Sequence, residues 1–534
     1  MSHKLKILST AVIVAILVYV LTVAFHQNIY HGEDRTGIDE KRIDTIVAKA
    51  MEAFHVPGIA IGIVEGNTLS FAKGYGVADV DTGVAVTPDT VFGIASHSKA
   101  YTTGALALLV DQGIISWDDK VQKWIPEFEL YDPWVTEHFT IRDLLSHRSG
   151  LPLGAGDLMW WPNPNFTRQN IIDGLKHLKP TSEFRTKYDY DNLLYVVAGE
   201  IVTRASGKPW EDFVTDTIFT PLGMDGCWAL PEDIPEGIAM ATPHAYVDDA
   251  LQTTFFQRGE PSSSAAAVNC NVKSHAKWVG LQLNEGKLPN GDVLISKKQH
   301  NEMWKPQTIQ NVSGTMKRMA NSHFAAYGLG WAVTDVHGRL MVSHSGGLQG
   351  MVTYTIMLPE ENLGVIVLTN AMSGAAIRSI AFQIMEDYIA GDSGNDWVQF
   401  YNDAMATSQQ NADAEVEAAA ATRENAGVMH HPIEKYLGTY NDPWYGDITI
   451  LTELKDGIPH IDMTNTPLLK GTLEPFDGNT FIARWDDRSL EADAYVIFEE
   501  NEQGKITGAT MRAVSDLTDF SFDFHHLTMT KVVR

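Results

Sequence analysis

Ser96 and Lys99 stand three residues apart at the head of an apolar run, and this pairing is where chemistry could begin. Residues at that spacing share one face of a helix. A serine hydroxyl is a weak nucleophile until a neighbour takes its proton. A lysine with an ordinary pKa near 10.4 cannot take it at neutral pH. Burial penalises the ammonium and lowers that pKa, by up to about 3–5 units when complete. From Ala100 to Val110 only Tyr101, Thr102 and Thr103 carry a polar group, which predicts a helix buried on most sides with a lysine at its start. The first turn of such a helix also aims its free amides at any negative charge developing on a bound carbonyl. Taken alone, the same two residues also read as a helix cap beside a snorkelling surface lysine.

Two further stretches supply partners. "RTKYDYDNLLYVVAGEIV" places Tyr190 and Asn192 just ahead of an apolar helix. The phenol can share or relay a proton, and the amide can orient a substrate or hold Lys99. "VSHSGGLQG" places His344, Ser345, Gly346 and Gly347 at the end of a strand, where glycines let a substrate carbonyl approach the backbone. The amides of Gly347 and Ser96 make a candidate oxyanion hole. His147, in "LLSHRSG", reads as a structural histidine bound to local backbone. "MWWPNPNF" at 159–166 reads as an aromatic loop that either walls an acyl pocket or simply packs.

These residues need a scaffold. A helix near 39–54 is followed by two strands around a Glu65-Gly66-Asn67 turn. A mostly helical region runs from about 96 to 310, and strands return in "LMVSHSGG" and "MVTYTIMLPEENLGVIVLTNA". In 374–390, Ile377, Ile380, Ala381, Ile384, Met385 and Tyr388 recur at helical spacing. The expected class is α/β of the α+β kind: an antiparallel sheet built from both ends of the domain, flanked by helices, with a helical subdomain beside it. The domain is assigned to 39–390. Residues 391–430 are rich in Ala, Gln, Asn and acid and read as a helical or partly disordered linker. From 431 to 534, short β-like runs alternate with turns such as Asp477-Gly478, which predicts a small barrel or sandwich.

The chain of 534 residues carries a net charge of −27, which argues against nucleic acid or an anionic lipid surface as partner. No nucleotide fingerprint, phosphate loop or zinc spacing appears, so no cofactor and no metal is expected; His430-His431 lacks partners at ligand spacing. The two cysteines, Cys227 and Cys270, are expected to be independent buried thiols, with a bridge as the minority case. Residues 1–38 hold Lys4 and Lys6 ahead of an uncharged stretch from Ile7 to Phe25. That stretch is longer than the usual signal core of about 7–15 residues and close to the about 20 needed to span a bilayer. An uncleaved membrane anchor is favoured over a removed signal, and both readings send the rest of the chain out of the cytoplasm.

Together, "ASHSK", "YDYDN" and "HSGG", in this order, resemble the three signature elements of the serine β-lactamase and penicillin-binding-protein superfamily. "TIRDLLSHRSGLP" at 140–152, "FTPLGMDGCW" at 219–228 and "ALALLVDQGIISWDDKVQKWIPEF" at 105–128 are similar to its class C-like branch. The tail from "YLGTYNDPWYGDITI" resembles the lipocalin-like β domain often appended to such enzymes. The resemblance implies Ser96 as the acylated nucleophile, Lys99 as its base, Tyr190 as the proton shuttle that activates the deacylating water, and Asn192 as a substrate-orienting amide. His344 stands where β-lactamases usually carry lysine. A mostly neutral side chain there suits a peptidase or esterase better than a β-lactamase. Asp191 is expected to point away from the chemistry, though able to raise the pKa of a nearby base. The expected activity is acyl-enzyme hydrolysis of a small peptide, amide or ester, with D-amino-acid peptides within reach; a β-lactamase and a non-catalytic sensor or scaffold are the alternatives. A homo-oligomer is compatible with the family, and the β tail is expected to cover the cleft of its own or a neighbouring chain.

Overall fold

A computed structural model of the chain describes residues 39–247, 250–391, 393–424, 426–452 and 458–533. The run from Ile7 to Phe25, and with it the expected anchor or signal, lies outside them. Among the described residues no helix is long and apolar enough to cross a membrane.

Helix α1 (Glu40–Phe54) starts at Asp39, whose carboxylate accepts from the Lys41 amide. It leads into β1 (Gly58–Glu65) and β2 (Thr68–Gly76), joined by a turn in which Gly66 takes a left-handed φ of 64°. The rest of the sheet comes from the far end of the domain: β3 (Thr308–Ile309), β4 (Ala325–Tyr327), β5 (Ala332–Val336), β6 (Arg339–Leu348), β7 (Met351–Leu358) and β8 (Leu363–Thr369). Among the described residues the sheet has eight strands, in the order β2-β1-β8-β7-β6-β5-β4-β3, and each pairing is antiparallel.

Side chains alternate between the two faces of a strand, and both faces of the central strands are covered. Ile59, Ile61 and Ile63 of β1, with Val365 and Val367 of β8, pack toward α1 and the helix α5 (Gly374–Ala390). Ala60 and Val64, with Ile366 and Leu368, pack toward a helical layer that includes α2 (Ser98–Asp111), α3 (Leu193–Ser206) and α4 (Val272–Leu283). Every residue of α2 from Ser98 to Leu109 is buried. A helix enclosed in this way carries no polar stripe, and its one lysine is held in the interior.

The cysteines do not stay apart. Short strands at Cys227–Trp228 and Asn269–Asn271 pair antiparallel with Cys227 directly opposite Cys270, and the two form a disulfide. Their Cα atoms are 4.1 Å apart. The expectation of two free thiols fails because a pairing between residues 43 positions apart in sequence leaves no local signal. Cross-linking a loop of that length removes about 4 kcal/mol of chain entropy from the unfolded state. Cys227→Ala together with Cys270→Ala should therefore lower the melting temperature by several degrees. An unchanged melting curve would show that the bond adds nothing to stability.

The linker region holds a 25-residue helix, α6 (Trp397–Ala421), whose Trp397 stacks on Phe382 of α5 at 4.7 Å. Beyond it, strands from Gly438–Asp442 to Thr528–Lys531 form a closed barrel of eight among the described residues, sealed by pairing of Tyr440 with Lys531 and Asn441 with Thr530. The segment between its last two strands, 514–527, reaches back onto the first domain.

Candidate active site

Ser96 sits in the short turn Ala95–His97 that opens α2, between the helical layer and the edge of β6. Ala95, just before it, has φ 50°, a left-handed conformation that costs a non-glycine residue about 1–3 kcal/mol and is held by its surroundings. His97 anchors the turn from below. Its ring nitrogens contact the Ile94 carbonyl at 2.9 Å and the Thr355 hydroxyl at 2.9 Å.

Lys99 has no exposed surface. Its Nζ lies 2.7 Å from Asn192 Oδ1, 3.0 Å from the Ala265 carbonyl and 3.1 Å from Ser96 Oγ. All three partners are oxygens that can accept from the amine, and the Ser96 hydroxyl is the one of them that can also donate to it once the amine is neutral. Burial lowers the pKa to about 7, against an opposing pull from the Asp157 and Asp191 carboxylates. Asn192 holds the lysine through Oδ1 and also lines the cleft.

Tyr190 is half-buried, and its ring centroid is 4.9 Å from Lys99 Nζ. Burial raises the phenol's pKa well above 10, while a hydrogen bond with Ser96 lowers it, so the resting phenol is neutral. Asp191 is fully buried and accepts from the Leu194 amide at the first turn of α3. Burial raises its pKa to about 7. His147 accepts from the Asp191 amide through Nδ1 at 3.1 Å and lies 4.2 Å from the Tyr190 ring; the backbone it holds is 44 residues away along the chain, not the local backbone expected from the sequence.

His344 closes the cleft from β6. Its Nδ1 donates to the Ser345 carbonyl at 2.6 Å, so Nε2 accepts from Tyr327 OH at 2.8 Å. Burial, then His97 and Lys99, push its pKa well below 6.5. It is a neutral imidazole and supplies no fixed cation. Gly346 is required by space: a Cβ there would lie 2.2 Å from the Ile94 carbonyl, so the bare backbone lets β6 run against the turn that carries Ser96. Gly347 is exposed, and a Cβ there would meet only Val352, at 3.9 Å, so this stretch of backbone is open to a ligand.

These residues line one cleft of about 500 Å³, together with Tyr188, Tyr327, Trp160, Trp161, Arg378 and the barrel residues Asp519, Phe520 and Ser521. Ser96, Tyr190, Asn192, His344, Ser345, Gly346 and Gly347 all meet there, with Lys99 directly beneath Ser96. The two indoles of the Trp-Trp loop are almost fully buried, and both line the cleft. Sequence reasoning missed Tyr327, Phe520 and Asp157. The last is fully buried and accepts from Asn192 Nδ2 at 2.7 Å. Tyr327 and Phe520 lie in no stretch singled out from the sequence, and Asp157 stands two residues ahead of the aromatic loop at 159–166 with nothing to mark its own role. Away from this constellation, Asp523, His525 and His526 bring one ligand atom each within 4.8 Å of one another, but the Asp523 carboxylate is already engaged by the Gly156 amide and His526.

The comparisons bear on the fold that carries this cleft. The chain is 27% identical over 460 residues to the unguisins hydrolase ungD′ of Aspergillus campestris, covering 82% of this chain and 83% of that one. Its fold is shared with an octameric penicillin-binding-protein homologue from Pyrococcus abyssi, at a TM-score of 0.60 and 20% identity, over 92% of this chain and 100% of that one. A class C β-lactamase from Rhodobacter sphaeroides superposes with a TM-score of 0.53 at 20% identity, over 66% and 99%. A domain of unknown function, DUF3471, matches residues 422–531. The β-lactamase family model matches residues 43–388, the whole of the sheet and the helical layer that carry this cleft, and the chain belongs to the β-lactamase family.

Proposed function

We propose that this protein is a serine hydrolase that cleaves peptide, amide or ester bonds through an acyl-enzyme on Ser96. One observation carries the reading: a fully buried amine, lowered to about pKa 7, 3.1 Å from a serine hydroxyl that faces an open cleft. Ser96 Oγ attacks the substrate carbonyl carbon and its proton passes to Lys99. The oxyanion meets the amides of Ser96 and Gly347. As the C–N or C–O bond breaks, the leaving group takes a proton relayed through Tyr190. Water then gives a proton back along the same path, attacks the ester and releases the acid. Tyr190 is neutral at rest, so it relays rather than abstracts.

The neutral His344 supports peptide or ester substrates over β-lactams, whose carboxylate gains from a fixed cation. A relative named as a hydrolase of unguisins supports the hydrolase reading. The test is a panel of D- and L-aminoacyl amides, p-nitrophenyl esters and nitrocefin, run on protein lacking residues 1–38. Turnover of amides or esters well above nitrocefin is expected. Nitrocefin as the best substrate would reassign the protein as a β-lactamase, and no turnover of any would favour a sensor or scaffold.

Phe520 of the barrel stands over the mouth of the cleft, its ring 6.1 Å from that of Tyr190. Phe520→Ala should raise kcat/KM for bulky acyl groups relative to small ones by about tenfold, the scale of a few methylenes of pocket space. An unchanged ratio would remove the barrel from substrate selection. The same reading includes an extracytoplasmic location, supported by the disulfide and the apolar N-terminal run. It also includes self-association, for which light scattering is the measurement.

A further inference from the structure

The turn 154–157 is held between the barrel and the residues around Lys99. On the catalytic side, the Gly154 amide donates to the Tyr190 carbonyl at 2.9 Å, and Asp157 Oδ2 accepts from Asn192 Nδ2 at 2.7 Å. On the barrel side, the Gly156 amide donates to Asp523 Oδ2 at 2.6 Å. Phe520 covers Gly154 so closely that a Cβ there would lie 2.7 Å from its ring and 2.9 Å from its carbonyl oxygen. Both glycines have left-handed φ, 68° and 77°, so the turn has little freedom to move away. A Cβ on Gly156 would meet Leu193 of α3 at 2.6 Å, which closes off the third side. Asp523 and Asp157 have no exposed surface, so each hydrogen bond here is made in the dry interior, where leaving a partner unpaired costs most.

Asn192 can orient its amide in two ways, differing by exchange of O and N. Only one gives Lys99 an acceptor. Asp157 Oδ2 accepts from the amide nitrogen and so selects that orientation; burial raises the pKa of this carboxyl well above 3.8, so the selection rests on the contact rather than on charge. We propose that the C-terminal barrel is part of the catalytic apparatus: Asp523 fixes the Gly156–Asp157 turn, Asp157 fixes the amide of Asn192, and Asn192 holds the amine of Lys99 against Ser96. Asp523 and Asp157 are positioning residues; neither faces the reacting atoms. The inference rests on the reading of Lys99 as the base and extends it across the domain boundary. It goes beyond a barrel that merely narrows the cleft, because it places a barrel side chain behind the chemical step.

The test uses the full chain with Asp157→Ala, Asp157→Asn, Asp523→Ala, Asp523→Asn and the double alanine variant, on the best ester or amide substrate. Thermal melting shows which variants fold. Asp523→Ala should lower kcat about tenfold and Asp157→Ala about a hundredfold, each with KM changed less than threefold. Each asparagine, which keeps an acceptor oxygen, should restore most of the lost rate. The double variant should be no slower than Asp157→Ala alone, because both residues act through one chain of contacts. Losses that multiply in the double variant, losses confined to KM, or alanine variants with full kcat would each overturn the proposal. If the asparagine variants fold yet fall as low as alanine, the orientation argument is wrong. Ser96→Ala in the same series separates the two readings. Full activity in that variant removes the serine mechanism itself, whereas an inactive Ser96→Ala beside an unaffected Asp157→Ala removes only the positioning role.

Discussion

Ser96→Ala should abolish covalent labelling by a fluorophosphonate and lower turnover by on the order of 10⁴-fold or more, with the fold unchanged. The size follows from what is lost. Without the hydroxyl no acyl-enzyme forms, and the residual rate comes only from binding and the oxyanion amides. The substitution is small and sits at the lip of the cleft rather than in the core, so stability should move little. Folded wild-type protein that takes no label, or a variant that labels as well as wild type, would remove Ser96 from the chemistry.

The second large effect concerns Lys99. Lys99→Met should lower kcat by about 10³-fold or more while Ser96 stays in place, because the hydroxyl then has no base. In the unaltered enzyme the base works only when neutral. Its pKa stands at about 7, so activity should rise with pH through that value and level off above it. Asp157 and Asp191 hold that pKa up. Asp191→Asn should therefore move the rising limb to lower pH. Stability provides an independent readout. The amine titrates near 10.5 when the chain is unfolded and near 7 when folded, so between these values the unfolded state binds the extra proton. Stability then increases as pH rises from about 7 to 10, and Lys99→Met should flatten that slope. A rate independent of pH from 5 to 9, or a stability curve with the same slope in both proteins, would mean that the amine is not the group that titrates.

A buried lysine in this role is costly by design. The shift corresponds to on the order of 5 kcal/mol against folding at neutral pH, offset by the apolar enclosure of α2 and by the satisfied contacts of the amine. In the proposed mechanism that energy goes into a base ready at working pH, and the neighbouring aspartates pull the pKa of the amine back up.

Much of this was present in the order of residues. Ser96, Lys99, Tyr190, Asn192 and the His344–Gly347 strand end each lie in short segments whose local chemistry is legible, and the apolar character of 100–110 already predicted the burial of Lys99. The strand-like apolar runs at 58–65 and 363–369 and the helical period of 374–390 predicted a sheet flanked by helices, because one side chain's direction follows from its neighbours along the same element. The closed form of the barrel, the Cys227–Cys270 bond, the Tyr327–His344 contact and the packing of Phe520 over Gly154 did not show. Each is a meeting of segments far apart in the chain, set by how strands register and how whole layers stack. Asp157 makes the contrast plain. Its sequence context is a glycine-rich turn with no periodicity, and its importance comes from two contacts: its own to Asn192, 35 residues away, and that of Asp523 to the neighbouring Gly156, 367 residues away. Local sequence decides which groups can react and which faces are apolar. Only the packed chain decides which of those groups share a dry cavity, and therefore which one gives up its proton.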